Sequence, residues 1–344
     1  MDTIFPVRSA NFTDNAEASC SQEEFVFKKA VHEQPNTIQH WQLRDLIACE
    51  NVPNEVYYVY YNKTIKYDTD KGEATLMQEL GYTPTSMTAG RGLLASGGQQ
   101  GQLDICTLSD RNSIYSASVG ESVNNALHIG SCRSGETCLL VSNNDSTIKV
   151  FNVNGMLKRE TIHFPVAINY AAVSADGQYM ACVGDSENVY LYSDSSSGGY
   201  HHVATYAAAN ESGMCCAWNA SGTAFASASQ DGTICVWEVR MGKLLAKLKT
   251  ESGRASRVVK FSTGGIDLLL YSEHDSQCHV VDARTFDTEQ VIDLLRSDLS
   301  TRDISGASFA ADGSRVYVGI AEHGIVEFEV NTLGRRSFSS GSLI

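Results

Sequence analysis

One short pattern of apolar and polar positions recurs along the chain at long intervals. Within each copy, apolar residues alternate with polar ones over five or six positions, and a polar turn precedes them. Such alternation is typical of a β-strand. The first apolar positions of the copies are Ile65, Leu103, Ile148, Val189, Ile234, Cys278 and Ile325. The pattern therefore predicts seven equivalent strands.

The spacing of these strands indicates how large each repeating unit is. Successive positions are separated by 38, 45, 41, 45, 44 and 47 residues, and a period of about 40 to 50 is typical of the four-stranded blades of a β-propeller. Many strands follow a small or acidic turn, as in AVSADGQ at 172–178 and SFAADGS at 308–314. The predicted fold is all-β, a seven-bladed β-propeller over 36–334. A partly mobile N-terminal extension, 1–35, and a Ser/Gly/Arg-rich tail, 335–344, flank it.

A propeller must close its ring, because an open ring exposes sheet edges that invite aggregation. We expect residues 36–48, which contain the apolar string LRDLIAC, to supply the fourth strand of the last blade. The string EEFVFKK at 23–29 is the alternative.

The most complete copy of the repeat, at 214–248, carries the string SQDGTICVWEV and resembles WD-repeat proteins. In that family a serine, an aspartate, a tryptophan and a histidine form a hydrogen-bonded structural network within a blade. The resemblance implies that Ser227, Asp231 and Trp237 take three of these roles. The Gly-His dipeptide expected upstream is absent.

Several longer strings resemble one particular group of WD-repeat proteins. They include LLASGGQQGQL at 93–103, SQDGTICVWEVR at 229–240 and HVVDARTFDTEQVIDL at 279–294. The group comprises uncharacterised proteins of fungi and plants that carry a domain of unknown function toward the C-terminus. The resemblance implies the fold and assigns no activity.

Composition and charge narrow the range of partners. The chain has no apolar run near the roughly 18 residues of a membrane span and no secretory signal, so we expect an intracellular protein, cytoplasmic or nuclear. Its ten cysteines are then expected to be thiols. A net charge of −14 favours basic or neutral protein partners over nucleic acid or anionic lipid, so we expect neither nucleic acid nor a membrane as a partner.

Catalysis would need a nucleophile beside a base, or a metal site with an open position. The cysteine spacings, Cys132 with Cys138 and Cys215 with Cys216, match no metal-binding pattern. We expect no enzymatic activity, no cofactor and no metal.

The leading functional hypothesis is a protein-interaction scaffold whose loops around the central channel bind a protein or peptide, because function concentrates on loops held by a rigid scaffold. The candidate contact residues lie where loops enter the innermost strands. They are Thr85, Asn124, Asn169, Tyr170, Arg257 and Asp303.

The alternative is a substrate receptor of a cullin-RING ubiquitin ligase. Such receptors resemble this chain where a strand ends in Trp, an acidic residue, any residue and Arg. Trp237, Glu238 and Arg240 fit, with glutamate in place of the usual aspartate, and would bind the ligase adaptor. Asp282 and Arg284 give a weaker match one blade later.

Overall fold

The computed structural model describes residues 24–195, 199–207, 209–294 and 303–333. In this part of the chain, 28 strands form seven four-stranded antiparallel sheets, which are the blades of a propeller. Each of the seven strands predicted from the sequence is present, and each is the third strand of its blade. The all-β, seven-bladed architecture is confirmed.

The strands are numbered in chain order, and the blades are numbered by their innermost strands. The first strand is β1 (Val26–His32). Blade one contains β2 (Ile47–Ala48), β3 (Glu55–Tyr60), β4 (Lys63–Asp68) and β5 (Glu73–Glu79). Blade two contains β6 (Ser86–Gly90), β7 (Leu93–Gly97), β8 (Gln102–Thr107) and β9 (Ser113–Ser118). Blade three contains β10 (Asn124–Ser131), β11 (Thr137–Asn143), β12 (Thr147–Asn152) and β13 (Leu157–His163).

The remaining blades follow the same order from the channel outward. Blade four contains β14 (Ile168–Val173), β15 (Tyr179–Gly184), β16 (Asn188–Ser195) and β17 (Gly199–Ala207). Blade five contains β18 (Gly213–Trp218), β19 (Ala224–Ser229), β20 (Thr233–Glu238) and β21 (Lys243–Lys249). Blade six contains β22 (Val259–Phe261), β23 (Leu268–Ser272), β24 (Gln277–Asp282) and β25 (Glu289–Asp293). Blade seven contains β26 (Ile304–Phe309), β27 (Arg315–Ile320), β28 (Gly324–Val330) and, as its outer strand, β1.

Burial changes in a regular way from the channel to the outside. In blade five every residue of β19 is buried, whereas residues of β21 alternate between exposed and partly buried. Inner strands have a neighbouring blade on each face, while outer strands meet solvent on one face. The apolar core therefore lies between the blades, where adjacent sheets pack face to face.

Glycine at the strand turns serves both the turn and the packing between blades. Gly177 adopts a positive φ of 69° in the turn between β14 and β15, a region that favours glycine. A Cβ atom at this position would lie 2.4 Å from the carbonyl carbon of Cys132 in blade three. Only glycine allows blade four to approach blade three this closely.

The ring is closed by the N-terminal strand and not by residues 36–48. The strand β1 pairs with β28 in antiparallel register, with Val26 opposite Val330 and His32 opposite Ile325. Residues 47–48 instead form the innermost strand of blade one. Our first expectation for closure was wrong, and the alternative, EEFVFKK, is correct. The propeller thus begins before residue 36.

Side-chain burial explains this choice of closing strand. Phe25 and Val26 are 1% and 3% exposed and pack into the core of blade seven. The side-chain amide of Gln290, on the outer strand of blade six, accepts from the backbone N–H of Phe25 at 2.7 Å and donates to the carbonyl of Val26 at 2.9 Å. The closing strand is therefore held by two blades.

The cysteines within the described residues are free thiols, and all except Cys49 are buried. Burial raises the pKa of most of them, as for Cys235, whose pKa rises to about 12. Within the same residues, no group of His, Cys, Asp and Glu side chains could hold a metal ion. None of the described helices is long and apolar enough to cross a membrane. The tail and most of the N-terminal extension lie outside the described residues.

Candidate interaction site at the channel mouth

The innermost strands surround a narrow central channel. Its pocket has a volume of about 20 Å³ and is lined by residues of several blades, including Asp45, Met87, Tyr170, Met214 and Arg257. This space is close to that of one water molecule. Drug-sized ligands occupy roughly 300 to 1,000 Å³. The pocket is thus too small for such a ligand.

Three polar side chains meet across the channel. Lys260 of β22 contacts the Asp45 carboxylate (Nζ to Oδ2, 2.5 Å) and the Tyr170 hydroxyl (3.1 Å), and that hydroxyl donates to Asp45 Oδ2 at 2.9 Å. Burial alone would lower the pKa of Lys260, but the negative charge of Asp45 outweighs that effect. The pKa of Lys260 therefore lies well above its ordinary value. Burial, followed by the charge of Asp45, raises the pKa of Tyr170. The cluster ties blades four and six to the segment before β2.

Two of the predicted contact residues join neighbouring blades. Thr85, which is 1% exposed, donates through Oγ1 to the carbonyl of Asn124 at 3.0 Å. Asn169 donates through Nδ2 to the carbonyl of Gly213 at 3.0 Å. Each side chain lies at the start of an innermost strand and binds the backbone of the next blade. These residues stabilise the ring, and their contact with a partner stays a prediction.

The structure places Asn125, and not Asn124, against the channel pocket. Asn124 is fully buried and donates to the carbonyl of Gln102 at 2.8 Å. Successive side chains of a strand point to opposite faces, so a shift of one residue exchanges a channel position for a core position. Asn124 is therefore not accessible for a partner, contrary to our expectation.

The mouth of the channel carries a cluster of two arginines and an exposed tryptophan. Arg44 and Arg257 are each only 6% exposed, whereas Trp41 is 60% exposed. Arg44 pairs with Asp303 (Nη1 to Oδ1, 2.6 Å) and donates through Nε to the carbonyl of Trp41 at 2.8 Å. The guanidinium carbon of Arg257 lies 5.7 Å from the centre of the Trp41 ring. We call Trp41, Arg44, Arg257, His274 and Asp303 the mouth cluster.

The charge of Arg257 is poorly compensated. Its Nη1 is hydrogen-bonded to Nδ1 of His274, and its buried Nε has no acceptor within the described residues. Burial and the charge of Arg44, partly offset by Asp303, lower the pKa of Arg257 to about 10. Burial, followed by Arg257 and two other arginines, lowers the pKa of His274 to about 4. His274 is therefore a neutral acceptor and does not compensate the charge of Arg257.

Arg257 and Asp303 were predicted from the sequence as contact residues, whereas Trp41 and Arg44 were not. Both lie in the segment that we assigned to ring closure. Their loop meets Asp303 and Arg257 only because the ring closes. Within the sequence, the string WQLR at 41–44 offers an aromatic residue and a cation three positions apart, but nothing indicates that they face the channel.

The WD-type network implied for blade five does not form. Trp237 is 7% exposed, as expected, but its Nε1 has no acceptor among the described residues. Its ring stacks on Tyr206 with centres 4.9 Å apart. The carboxylate of Asp231 accepts the backbone N–H of Thr233 at 2.9 Å, and Ser227 is buried within β19. Without a histidine at that position, Trp237 is held by stacking on Tyr206 and by its apolar neighbours in the core.

A buried polar network is found instead in blade six. His279 lies between two carboxylates, with Nε2 at 3.0 Å from Glu273 and Nδ1 at 2.7 Å from Glu289. The ring of Tyr271 stacks on His279 at 4.5 Å, and its hydroxyl donates to Glu289. Burial lowers the pKa of His279, but Glu289 and then Glu273 outweigh it, so the pKa is raised overall. No feature of the WD pattern pointed to this network.

The residues of the ligase-receptor hypothesis divide between core and surface. Trp237 is 7% exposed and its ring packs in the core, and its contact with an adaptor stays a prediction. Glu238 accepts the backbone N–H groups of Arg240 at 3.1 Å and Met241 at 2.7 Å. Arg240 is exposed, and Met241 is 83% exposed. The side chain of Glu238 thus fixes the turn that presents both residues.

Comparison with known proteins gives matches to families, to one relative and to a solved structure. Residues 202–238 match the family described as WD domain, G-beta repeat, and residues 254–293 match an uncharacterised protein domain, DUF2415. An uncharacterised protein of Schizosaccharomyces pombe is 35% identical over 321 residues, which cover 89% of this chain and 92% of that protein. A chain in the crystal structure of the mitotic checkpoint complex aligns with a TM-score of 0.75 over 95% of this chain and 99% of that chain. Its identity is 14%, so it is similar in fold alone.

Proposed function

The chain belongs to the family of the uncharacterised Schizosaccharomyces pombe protein, a family of WD-repeat propellers, and we propose that it is a non-enzymatic scaffold. In this proposal the mouth cluster binds a protein or peptide partner. WD-repeat propellers generally act as protein-interaction scaffolds. We propose in addition that the partner is a protein or peptide and that it binds at the mouth cluster.

The observation that carries the proposal is the exposure of Trp41. Its indole is 60% exposed beside the small pocket that Arg44 and Arg257 line. Its backbone is fixed by Arg44 and its ring lies close to Arg257. Tryptophan and arginine are the residues that most often dominate the binding energy of protein interfaces. A rigid aromatic residue beside a cation is thus suited to bind a partner.

Affinity capture with matched variants tests the proposal. Wild-type chain, Trp41→Ala and Leu157→Ala would be used to capture proteins from the cells that produce it, followed by quantitative mass spectrometry. Leu157 is the control, because it is 67% exposed on the outer strand β13, away from the channel. We expect Trp41→Ala to lose a defined set of proteins that Leu157→Ala retains. Equal capture by all three chains would contradict a binding role for the channel mouth.

The ligase-receptor role is a second candidate, and the exposed turn at Arg240 favours it. An arginine offers a planar fork of donors to carboxylates or carbonyls of an adaptor. Lys247 is the matched control, because it is an exposed cation on the outer strand of the same blade and lies outside the motif. If the candidate is right, wild-type chain captures the ligase adaptor, Arg240→Ala loses it and Lys247→Ala keeps it. Failure of the wild-type chain to capture the adaptor, or equal capture by Arg240→Ala, removes this role.

A further inference from the structure

We propose that Arg257 binds a carboxylate of the partner, so that the recognised segment carries an aspartate or glutamate side chain which enters the channel mouth beside Trp41. This inference rests on the proposed function and specifies the chemistry of the partner.

The first argument is the incomplete set of partners around Arg257. Its side chain is 94% buried, since only 6% is exposed. Of its donors, one meets the neutral ring of His274, and the buried Nε meets no acceptor in the described part of the chain. A buried charge without an opposite charge is costly. An incoming carboxylate would supply the missing negative charge.

The second argument is the charge balance around the site. Arg44 is paired with Asp303 at 2.6 Å, and Arg254 is paired with Asp275 at 2.8 Å. Among the described residues of the mouth cluster, Arg257 remains as one surplus positive charge, on a chain whose net charge is −14. A single carboxylate matches that surplus. A phosphate, which carries about −1.5 to −2 at neutral pH, would exceed it.

The third argument is the size and shape of the space. The pocket that Arg257 lines measures about 20 Å³, close to the space of one water molecule, so only the small end of a side chain can approach Arg257 there. Guanidinium and carboxylate groups form two parallel hydrogen bonds in a common plane. The exposed face of Trp41 offers an apolar wall for the neighbouring methylene groups or for an apolar residue of the same segment.

Three pools of short peptides test this inference. The pools share random flanking positions and differ only in a fixed central residue, which is glutamate, glutamine or phosphoserine. Each pool is passed over immobilised wild-type chain, and the retained peptide is measured. We expect the glutamate pool to be retained at least fivefold more than the glutamine pool, because the two residues differ in charge but hardly in shape.

Variants connect that preference to Arg257. Arg257→Gln should abolish the preference for glutamate, and Arg257→Lys should weaken it, because lysine keeps the charge but lacks the fork. Arg254→Gln is the control: it removes the same charge three positions away, from an exposed arginine that already has a partner, and should keep the preference. Thermal unfolding of each variant verifies that it folds.

The possible outcomes separate this inference from the proposed function. Equal retention of the glutamate and glutamine pools, or no retention of any pool, overturns the carboxylate inference. A preference for phosphoserine overturns it in favour of a phosphorylated partner. A preference that survives in Arg257→Gln shows that another residue is responsible. In each case the capture experiment with Trp41→Ala decides separately whether the channel mouth binds a partner.

Discussion

Trp237 retains the burial of a WD-type tryptophan without its hydrogen bond. Trp237→Ala should lower the free energy of unfolding by about 3 to 5 kcal/mol, as is usual for removal of a large core side chain. Trp237→Phe should cost less than half of that, because phenylalanine keeps an aromatic ring against Tyr206 and removes an N–H that has no acceptor in the described part of the chain. Reversible urea unfolding measures both. A loss below about 1 kcal/mol for Trp237→Ala would show that the stack contributes little.

The same residue allows a direct test of the missing network. If Asp231 and Trp237 do not interact, their substitutions should be additive, with a coupling energy below about 0.5 kcal/mol in a double-mutant cycle. A coupling energy above about 1 kcal/mol would indicate that the network forms in solution.

The buried network around His279 should make stability depend on pH. The pKa of His279 is raised above 6.5, so its contribution is complete below that value and is lost as pH rises through the folded-state pKa. Burial raises the pKa values of Glu273 and Glu289, but their hydrogen bonds outweigh it and lower both below 4.5. Their contribution is complete above 4.5 and is lost as pH falls through the folded-state values.

The comparison variant for this prediction is His279→Gln. The difference in unfolding free energy between wild type and variant should be largest at about pH 4.5 to 6.5, between the ordinary pKa values of glutamate and histidine, and smaller on either side. Denaturant titrations at several pH values measure it. A difference that stays constant from acidic to alkaline pH would contradict a charged histidine between the two carboxylates.

At the scale of elements, the closing strand β1 decides whether the ring holds together. Phe25→Ala should cost about 3 to 5 kcal/mol, because Phe25 is 1% exposed in the core of blade seven. Phe27→Ala is the control from the same segment and should cost less than about 1 kcal/mol, because Phe27 is 45% exposed. Reversible denaturant unfolding of both variants measures the two losses of free energy. Equal losses would show that β1 does not close the ring as described.

At the scale of the whole molecule, the net charge of −14 sets the range of partners. Affinity for DNA or RNA depends on the number of phosphates that cations neutralise. The arginines of the mouth cluster do little to alter this, because Arg44 is already paired and Arg257 adds a single positive charge. Fluorescence polarisation with labelled DNA and RNA at physiological salt should detect no binding tighter than micromolar. Submicromolar binding would contradict the exclusion of nucleic acid.

The repeat and its strands could be predicted from the sequence because both are local properties. Alternation over five or six residues identifies a strand, and the distance between copies identifies a blade. The positions Ile65 to Ile325 accordingly fall on the third strands of all seven blades. The sequence also predicted where the innermost strands start. Tyr170 and Arg257, chosen on that basis, line the channel pocket.

Only the tertiary structure decided which distant segments meet. Local pattern gave two candidate strands for closure, and the choice of β1 depends on the burial of Phe25 and on Gln290, which is 265 residues away along the chain. Asn124 and Asn125 have identical side chains, and their faces differ through the register of β10 alone. Trp41 and Arg44 reach Arg257 because the closed ring brings the start of blade one beside blade six. A sequence encodes periodicity within a short window, whereas the contacts of a closed ring are set by packing between residues far apart in the chain.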